Sequence, residues 1–318
     1  MNQEMDNKKG MSIIVPFLNE EDGIELFCRE FDHFAGTLDF PIETIFVNDG
    51  STDSTLDLLQ KQHFFNIKKV KVLNLSRNFG SHAAIRAGVL HSSYPICTWL
   101  GSDLQEPLEL IPLSYHAIVD DGYDAVYVEK KTVAVSKGNR AFSKIYSKLM
   151  QKYAVKNYSD GGTSTIVFGE NIKNFLNDNI EGNSSIMLQI MEAGYNYKNL
   201  SLDYKERAAG TSKWTLAKKI KLFIDSFVAF SYMPIRAISL VGAFLLFIGS
   251  IFSIFATVGG LLRLVRNRSR MAFMGFISIC FGITNISLGI IAEYLWRTYE
   301  AAKNKPVFII RDELELKG

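Results

Sequence analysis

Residues 42–53 read Ile-Glu-Thr-Ile-Phe-Val-Asn-Asp-Gly-Ser-Thr-Asp, and this stretch decides the fold. Ile42 to Val47 is an apolar run of strand length, and Asn48-Asp49-Gly50-Ser51 stops it with turn formers. Ser51 or Thr52 is placed to cap a helix that begins near Asp53. The unit is strand, polar turn, helix, and it recurs along the chain. Ser12 to Phe17 is a buried strand, followed by a helix from about Glu21 to Phe34. Val70 to Leu75 is a third strand, followed by a turn and a helix from about Ser81 to His91. Ile96 to Leu100 is a fourth, after which Pro107 opens a helix, as proline does at a first helical position. Tyr123 to Val128 is a fifth.

Strands that alternate with helices predict an α/β domain with a mainly parallel sheet covered on both faces. Ligands of such sheets bind beyond the carboxyl ends of the strands. The polar clusters lie there: Asn19-Glu20, Asn48-Asp49, Arg77-Asn78 and Asp103-Leu104-Gln105. A dinucleotide-binding enzyme would need a glycine-rich turn after the first strand to admit a pyrophosphate. That turn is Pro16-Phe17-Leu18-Asn19-Glu20, which argues against such a site.

Composition narrows the class further. The 318 residues carry a formal net charge of +2, so nothing indicates a nucleic-acid partner. Cys28, Cys97 and Cys280 are scattered, with neither metal-ligand spacing nor a disulfide framework, which suits a reducing compartment. The first ten residues are polar, so no signal peptide is expected. Of the dispersed histidines, only His82 falls inside a motif.

Residues 237–262 carry no charge, and neither do 271–292. Each run exceeds the roughly 20 residues that a helix needs to cross a bilayer core. Two spanning helices, about 237–262 and 271–295, are therefore expected. Gly242 and Gly249 share one face of the first, and Gly282 and Gly289 one face of the second. Small residues on a face let helices approach closely, so the expected form is a packed hairpin. Its remaining faces leave homo-oligomers open.

Basic residues flank the outer ends of the pair: Lys213, Lys218, Lys219, Lys221 and Arg236 before, Arg297, Lys303, Lys305 and Arg311 after. The positive-inside tendency places both ends in the cytoplasm. Arg263, Arg266, Arg268 and Arg270 in the connecting loop pull the other way. In 213–236, lysines alternate with Leu216, Ile220, Phe223, Phe227 and Phe230. In 137–152, Arg140, Lys144, Lys148 and Lys152 recur at helical spacing. Both stretches read as interfacial helices on anionic lipid or as ordinary amphipathic surface helices. The expected order is a cytoplasmic α/β domain (1–212), a juxtamembrane helix (213–236), two spans (237–296) and a cytoplasmic tail (297–318).

The motifs, in their order, resemble the family 2 glycosyltransferases of the GT-A fold. They are Ile14-Val15-Pro16 with Asn19-Glu20-Glu21; Val47-Asn48-Asp49-Gly50-Ser51-Thr52-Asp53; Leu75-Ser76-Arg77-Asn78-Phe79-Gly80; Asp103-Leu104-Gln105 with Pro107; and Arg207-Ala208-Ala209-Gly210-Thr211-Ser212-Lys213-Trp214. Glu293-Tyr294-Leu295 and Lys305-Pro306 also fit. Within that family the chain is similar to the polyprenyl-phosphate glycosyltransferases, which include dolichyl-phosphate mannose synthases and bactoprenol glucosyltransferases.

The resemblance implies a nucleotide-sugar site at Pro16, Leu18, Glu20, Val47, Asp49 and Ser102. It places Mg²⁺ or Mn²⁺ on Asp103, with Gln105 assisting, to neutralise the leaving diphosphate. Arg207 and Lys213 would face the phosphates, Lys130 would add a further charge, and Arg140 and Ser143 would hold the acceptor phosphate. UDP-glucose is the implied donor and undecaprenyl phosphate the implied lipid acceptor, at a bacterial inner membrane.

Three positions depart from the family pattern. Gly101 stands where a first metal-facing aspartate is usual, and Asn48 where Asp is common. Gly162-Thr163-Ser164-Thr165 stands where Gly-Asp-Phe-Arg often supplies a base. Asp160, three residues before Thr163, is the candidate substitute. A phosphate monoester with a second pKa near 6 is largely dianionic at neutral pH, so its oxygen needs positioning more than proton removal. Two other readings stay open. One is a transferase with a different lipid or polysaccharide acceptor, and the other a non-catalytic nucleotide-sugar binder.

Overall fold

The apolar runs form strands because both sides of them are covered. In the computed structural model, β1 (Met11–Phe17) and β2 (Ile42–Asn48) are buried along nearly their whole length. The structure describes residues 10–131, 148, 163–180, 185–204, 268–302 and 306–317. Arg140, Ser143, Asp160, Arg207, Lys213, the juxtamembrane segment and the first expected span lie outside them.

After β1 come α1 (Ile24–Ala35), β2, α2 (Thr55–Gln60), β3 (Lys69–Leu75), α3 (Ser81–Leu90), β4 (Ile96–Trp99), α4 (Leu110–Val119) and β5 (Ala125–Lys130). There follow β6 (Thr163–Phe168), α5 (Glu170–Asp178), α6 (Ile186–Glu192), β7 (Tyr197–Leu202), α7 (Arg268–Ala302) and β8 (Ile310–Lys317). The sheet has eight strands in the order β7-β5-β6-β4-β1-β2-β3-β8. Pairing is parallel except where β6 meets β4 and β5, and where β8 meets β3. The mixed α/β architecture agrees with the GT-A-like fold expected from the sequence.

One face of the sheet is sealed by α1, whose Phe27 packs edge-on against Phe17 and Phe46 at centroid distances of 5.8 and 6.4 Å. Aromatic pairs in this geometry add to their burial because ring edges are positive and faces negative. On α3, Gly88 lets the helix lie on β1, since a Cβ there would meet Ile14 side-chain carbons at 2.4 Å.

Besides β7, which was not expected as a strand, and the helix after Pro107, which begins only at Leu110, two elements differ from expectation. Ser51 and Thr52 do not cap α2. The Ser51 hydroxyl accepts from the Asn19 amide (3.0 Å), the Thr52 amide donates to Asn19 Oδ1 (2.8 Å), and Asp53 Oδ1 takes the Thr55 amide (3.0 Å). The hydroxyl and amide of the turn are used to stitch two loops together, and α2 starts two residues later. The second concerns the tail: residues 310–317 are an edge strand, antiparallel to β3 from Lys69↔Lys317 to Leu75↔Ile310. Its charged residues (Arg311, Asp312, Glu313, Glu315, Lys317) suit an exposed sheet edge, and they also disguise it in the sequence.

Residues 227–305 form a separate compact unit, of which α7 is described. At 35 residues and 1.5 Å per residue this helix is roughly 50 Å long, and it contains the second expected span. Among the described residues no helix is long and apolar enough to cross a membrane; several side chains of 271–292 lie outside that set. Phe273, Leu288, Ile291, Leu295, Trp296 and Tyr299 of α7 are exposed.

Candidate functional site

The strand order reverses between β4 and β1. The chain builds β1, β2 and β3 outward in one direction, then returns to place β4 on the other side of β1. A crevice opens outside the carboxyl ends at such a switch point. Register sharpens it. Phe17 pairs with Asn48 and Asn48 with Asn74, so the first three strands end level. Trp99, the last residue of β4, pairs with Ile14, so the 101–106 turn leaves the sheet three residues short of the end of β1.

The loops at this edge hold one another in place. Asn19 sits at φ 51°, in the left-handed region, where a non-glycine residue is strained unless its surroundings fix it. Here Asn19 bonds both Ser51 and Thr52. The Glu20 amide donates to Thr55 Oγ1 (2.9 Å), and Glu21 Oε2 accepts from the Ser54 amide (3.0 Å). The loop after β1 thus lies along the loop after β2. Gly50, at φ +67°, comes so near the 77–78 backbone that a Cβ would meet Arg77 C at 2.4 Å.

Asp49 is 2% exposed, and its two carboxylate oxygens accept from the Phe79 amide (2.7 Å) and the Gly80 amide (2.9 Å). Burial pushes its pKa up, while the two amides and the Arg77 charge pull it back. Asp49 therefore braces the loop that leads into α3. On the far side the Ser76 amide donates to Ile309 O (2.9 Å) just before β8. Asn48 Nδ2 donates to Asn74 Oδ1 (2.9 Å), and Asn74 Nδ2 to Asp312 Oδ2 (3.1 Å). A line of side-chain amides runs under the crevice to the C-terminal strand. At its rim the Arg77 guanidinium stacks on Phe79 at 3.9 Å.

The second half of the site is the turn after β4. Asp103 is partly exposed there, and its Oδ1 accepts from the Gln105 amide at 3.3 Å. Leu104 holds φ 52°. Ser102 and Gln105 share the turn and are also partly exposed. A residue the sequence reading passed over completes it: Glu106 Oε2 accepts from the Gly101 amide (2.8 Å), and its Oε1 accepts from Thr165 Oγ1 of β6 (3.2 Å). Burial raises the Glu106 pKa; the Gly101 amide opposes this and the Asp103 charge adds to it. Lys130, at the end of β5, supplies an opposing positive field at Glu106, and its Nζ lies 4.5 Å from the centre of the Tyr204 ring. The departure at Gly101 was legible in the sequence, but the carboxylate beside it was not, because only the fold brings position 106 back over position 101.

The expected residues thus divide. Pro16, Leu18, Glu20, Val47 and Asp49 lie on the β1 and β2 side of the crevice, although Val47 is fully buried in its strand. Ser102, Asp103, Gln105 and Lys130 lie on the β4 and β5 side. For a divalent cation, Asp103 offers a hard oxygen donor at the turn, the donor class that Mg²⁺ and Mn²⁺ prefer, and the Glu106 carboxylate lies behind the turn on the Gly101 amide. Among the described residues no group of three or more His, Cys, Asp or Glu could hold a metal by itself. The donor set fits a cation that takes its other ligands from phosphate and water. A cavity of about 780 Å³ opens elsewhere, at the amino ends of the strands, where Phe65, Lys68, Lys69 and Tyr94 help to line it; it contains none of these residues.

Fold and site together place an acidic turn at the topological switch point of a mixed α/β sheet. Residues 12–187, more than half the chain, match the model of glycosyl transferase family 2, and the chain belongs to that family. Two bacterial relatives extend along nearly all of it. A protein of Bacillus subtilis named as a glycosyltransferase, CsbB, is 28% identical over 96% of this chain and 92% of its own. The undecaprenyl-phosphate 4-deoxy-4-formamido-L-arabinose transferase of Klebsiella pneumoniae is 26% identical over 95% of this chain and 93% of its own. Among solved structures, the glucosyl-3-phosphoglycerate synthase of Mycobacterium tuberculosis matches with a TM-score of 0.49 at 16% identity, covering 69% of this chain and 79% of that one.

Proposed function

We propose that this glycosyltransferase moves a hexose from a nucleotide-sugar, with UDP-glucose the specific candidate, onto undecaprenyl phosphate at the cytoplasmic face of a bacterial inner membrane. The observation that carries the reading is the placement of two carboxylates, Asp103 and Glu106, beside Gly101 at the switch point next to the stitched β1 and β2 loops, with Lys130 within electrostatic reach of Glu106. Similarity over nearly the full chain to an undecaprenyl-phosphate transferase supports the acceptor class.

In this reading the β1 and β2 loops seat the nucleoside, with the partly exposed Glu20 accepting from its hydroxyls or base. A lipid phosphate oxygen attacks the anomeric carbon, and the bond from that carbon to the diphosphate oxygen breaks. The diphosphate leaves with the bonding electrons, and the anomeric configuration inverts. Mg²⁺ or Mn²⁺, held through Asp103 with Gln105 nearby, would neutralise the diphosphate charge when bound. Arg207 and Lys213 are assigned to that departing charge, Arg140 and Ser143 to the acceptor phosphate. Asp160 is the candidate base should the acceptor carry a proton.

Membrane attachment rests on the uncharged runs 237–262 and 271–292 and on α7. Trp296 and Tyr299, exposed near its end with ring centroids 5.8 Å apart, suit the interfacial level where aromatic side chains collect.

The test is transfer of labelled glucose from UDP-glucose to undecaprenyl phosphate by purified chain, with and without Mn²⁺. The expected product is an acid-labile lipid, formed only with the cation and lost in Asp103→Ala. Activity retained by that variant would remove the metal assignment. Transfer to no polyprenyl phosphate from any nucleotide-sugar would remove the reading itself.

A further inference from the structure

Gly101 and Glu106 are complementary in shape. A Cβ built on Gly101 would lie 3.0 Å from Glu106 Oε2 and 3.1 Å from Asp103 Oδ1. Both separations are tighter than ordinary carbon–oxygen contact, so the two carboxylates already occupy the space that a side chain at position 101 would take. The missing acidic residue thus leaves no gap in the acidic turn. A carboxylate five positions later folds back into its place.

We infer that Glu106 is the positioning residue of the cation and diphosphate end of this site, standing in for an acidic side chain at position 101. The inference rests on the proposed function. Glu106 acts through Asp103 rather than on substrate, since each of its oxygens already accepts a bond from the protein. Its Oε2 closes the two ends of the 101–106 turn on each other. Within that turn Leu104 is held at φ 52°, and the Asp103 oxygen is bonded to the Gln105 amide at only 3.3 Å. So strained a loop needs an external tie to stay in one conformation.

The Thr165 hydroxyl supplies the other tie, from Glu106 Oε1 to β6. Thr165 lies in the 162–165 stretch, which also departs from the family pattern. Two departures far apart in sequence therefore meet on one carboxylate. Glu106 moreover adds negative potential beside Asp103, which favours a bound cation without taking up its coordination positions.

The experiment measures Mn²⁺ binding in the presence of UDP, by the loss of the free Mn²⁺ electron-paramagnetic-resonance signal, on purified full-length chain. Neither sugar nor acceptor is needed. Removing an outer partner of a metal ligand typically costs 10–100-fold in metal affinity, so Glu106→Ala is expected to weaken Mn²⁺ binding at least about tenfold. Gly101→Asp alone should also weaken it, because its side chain collides with the two carboxylates. The double variant Gly101→Asp with Glu106→Ala should recover most of the loss, which a merely structural role for Glu106 would not produce.

If Glu106→Ala does not fold, Glu106→Ser replaces it in both arms, because it removes the charge and clears the space beside Gly101 while keeping a polar group. Wild-type affinity in the Glu106 variant, or losses that simply add in the double variant, would overturn the inference alone. A wild-type chain that binds no Mn²⁺ with UDP would overturn the metal-dependent function and the inference with it.

Discussion

His82 gives the chain a stability that falls as the medium turns acidic, and the size of the effect can be worked out. It is the second residue of α3, just after the loop braced by Asp49. Its Nδ1 is buried and has no hydrogen-bond partner among the described residues. Burial, and then the nearby Arg86 charge, lower its pKa from 6.5 to about 4. The amino end of a helix also disfavours a cation. A base whose pKa is lower in the folded state binds more protons when unfolded. Stability is therefore complete above pH 6.5 and is lost as pH falls from there toward 4. With those two values the penalty is about 0.2 kcal/mol at pH 7 and about 2 kcal/mol at pH 5. The neutral variant His82→Gln lacks it. Urea unfolding of both proteins at pH 7, 6 and 5, followed by tryptophan fluorescence, should show the wild type losing about 2 kcal/mol more than the variant between pH 7 and 5. Carboxylates that titrate in the same range are common to both proteins and cancel. A difference that does not change with pH would refute the reasoning, as would a His82 resonance that titrates near 6.5.

Two further perturbations test the braces around the crevice. Asp49→Asn leaves one side-chain oxygen for two amides, so the Phe79 or Gly80 N–H loses its acceptor, at about 1–3 kcal/mol. Faster hydrogen exchange at residues 79 and 80 is the direct check, and unchanged exchange would refute the brace. Because burial raises the Asp49 pKa, the wild type alone should also lose stability as pH rises between the unfolded and the higher folded value. Deleting residues 310–318 removes β8, exposes the ladder of β3 and strips Asn74 of Asp312. The expected result is a lower melting temperature and aggregation through the bared edge, and an unchanged melting curve would show that β8 is dispensable.

The legible part of this fold was the part in which local pattern and tertiary setting agree. β1, β2 and β3 are nearly all buried, so each reads as a short apolar run, and turn residues mark their ends. β7 and β8 did not read as strands because their sequences answer to a sheet edge. Tyr-Lys-Asn-Leu-Ser-Leu alternates only weakly, and Ile-Arg-Asp-Glu-Leu-Glu-Leu-Lys is mostly charge. The same division holds within the site. Asp103 and Asp49 stand in recognisable turns after strands, whereas Glu106 precedes a proline and looks like the acidic first turn of a helix. Its partners are a backbone amide five residues back and a hydroxyl at position 165, and no local pattern predicts either.

This difference between the two halves of the crevice bears on how the site works. On the β1 and β2 side, Asn19, Ser51, Thr52 and Asp49 spend their polar atoms on neighbouring loops, so that wall is set before any ligand arrives. In the proposed function this wall would take the nucleoside, whose binding gains affinity from groups already in place. On the β4 side Glu106 ties the turn to the Gly101 amide and to Thr165 of β6, and a cation with its diphosphate would supply further ties. Donor binding should therefore order the 101–106 turn far more than the 19–21 and 48–53 loops. Hydrogen exchange with and without UDP and Mn²⁺ would show protection concentrated at 101–106. Equal protection of both walls would mean that the nucleoside side is not preformed, and that the stitched loops are a consequence of the fold with no bearing on binding.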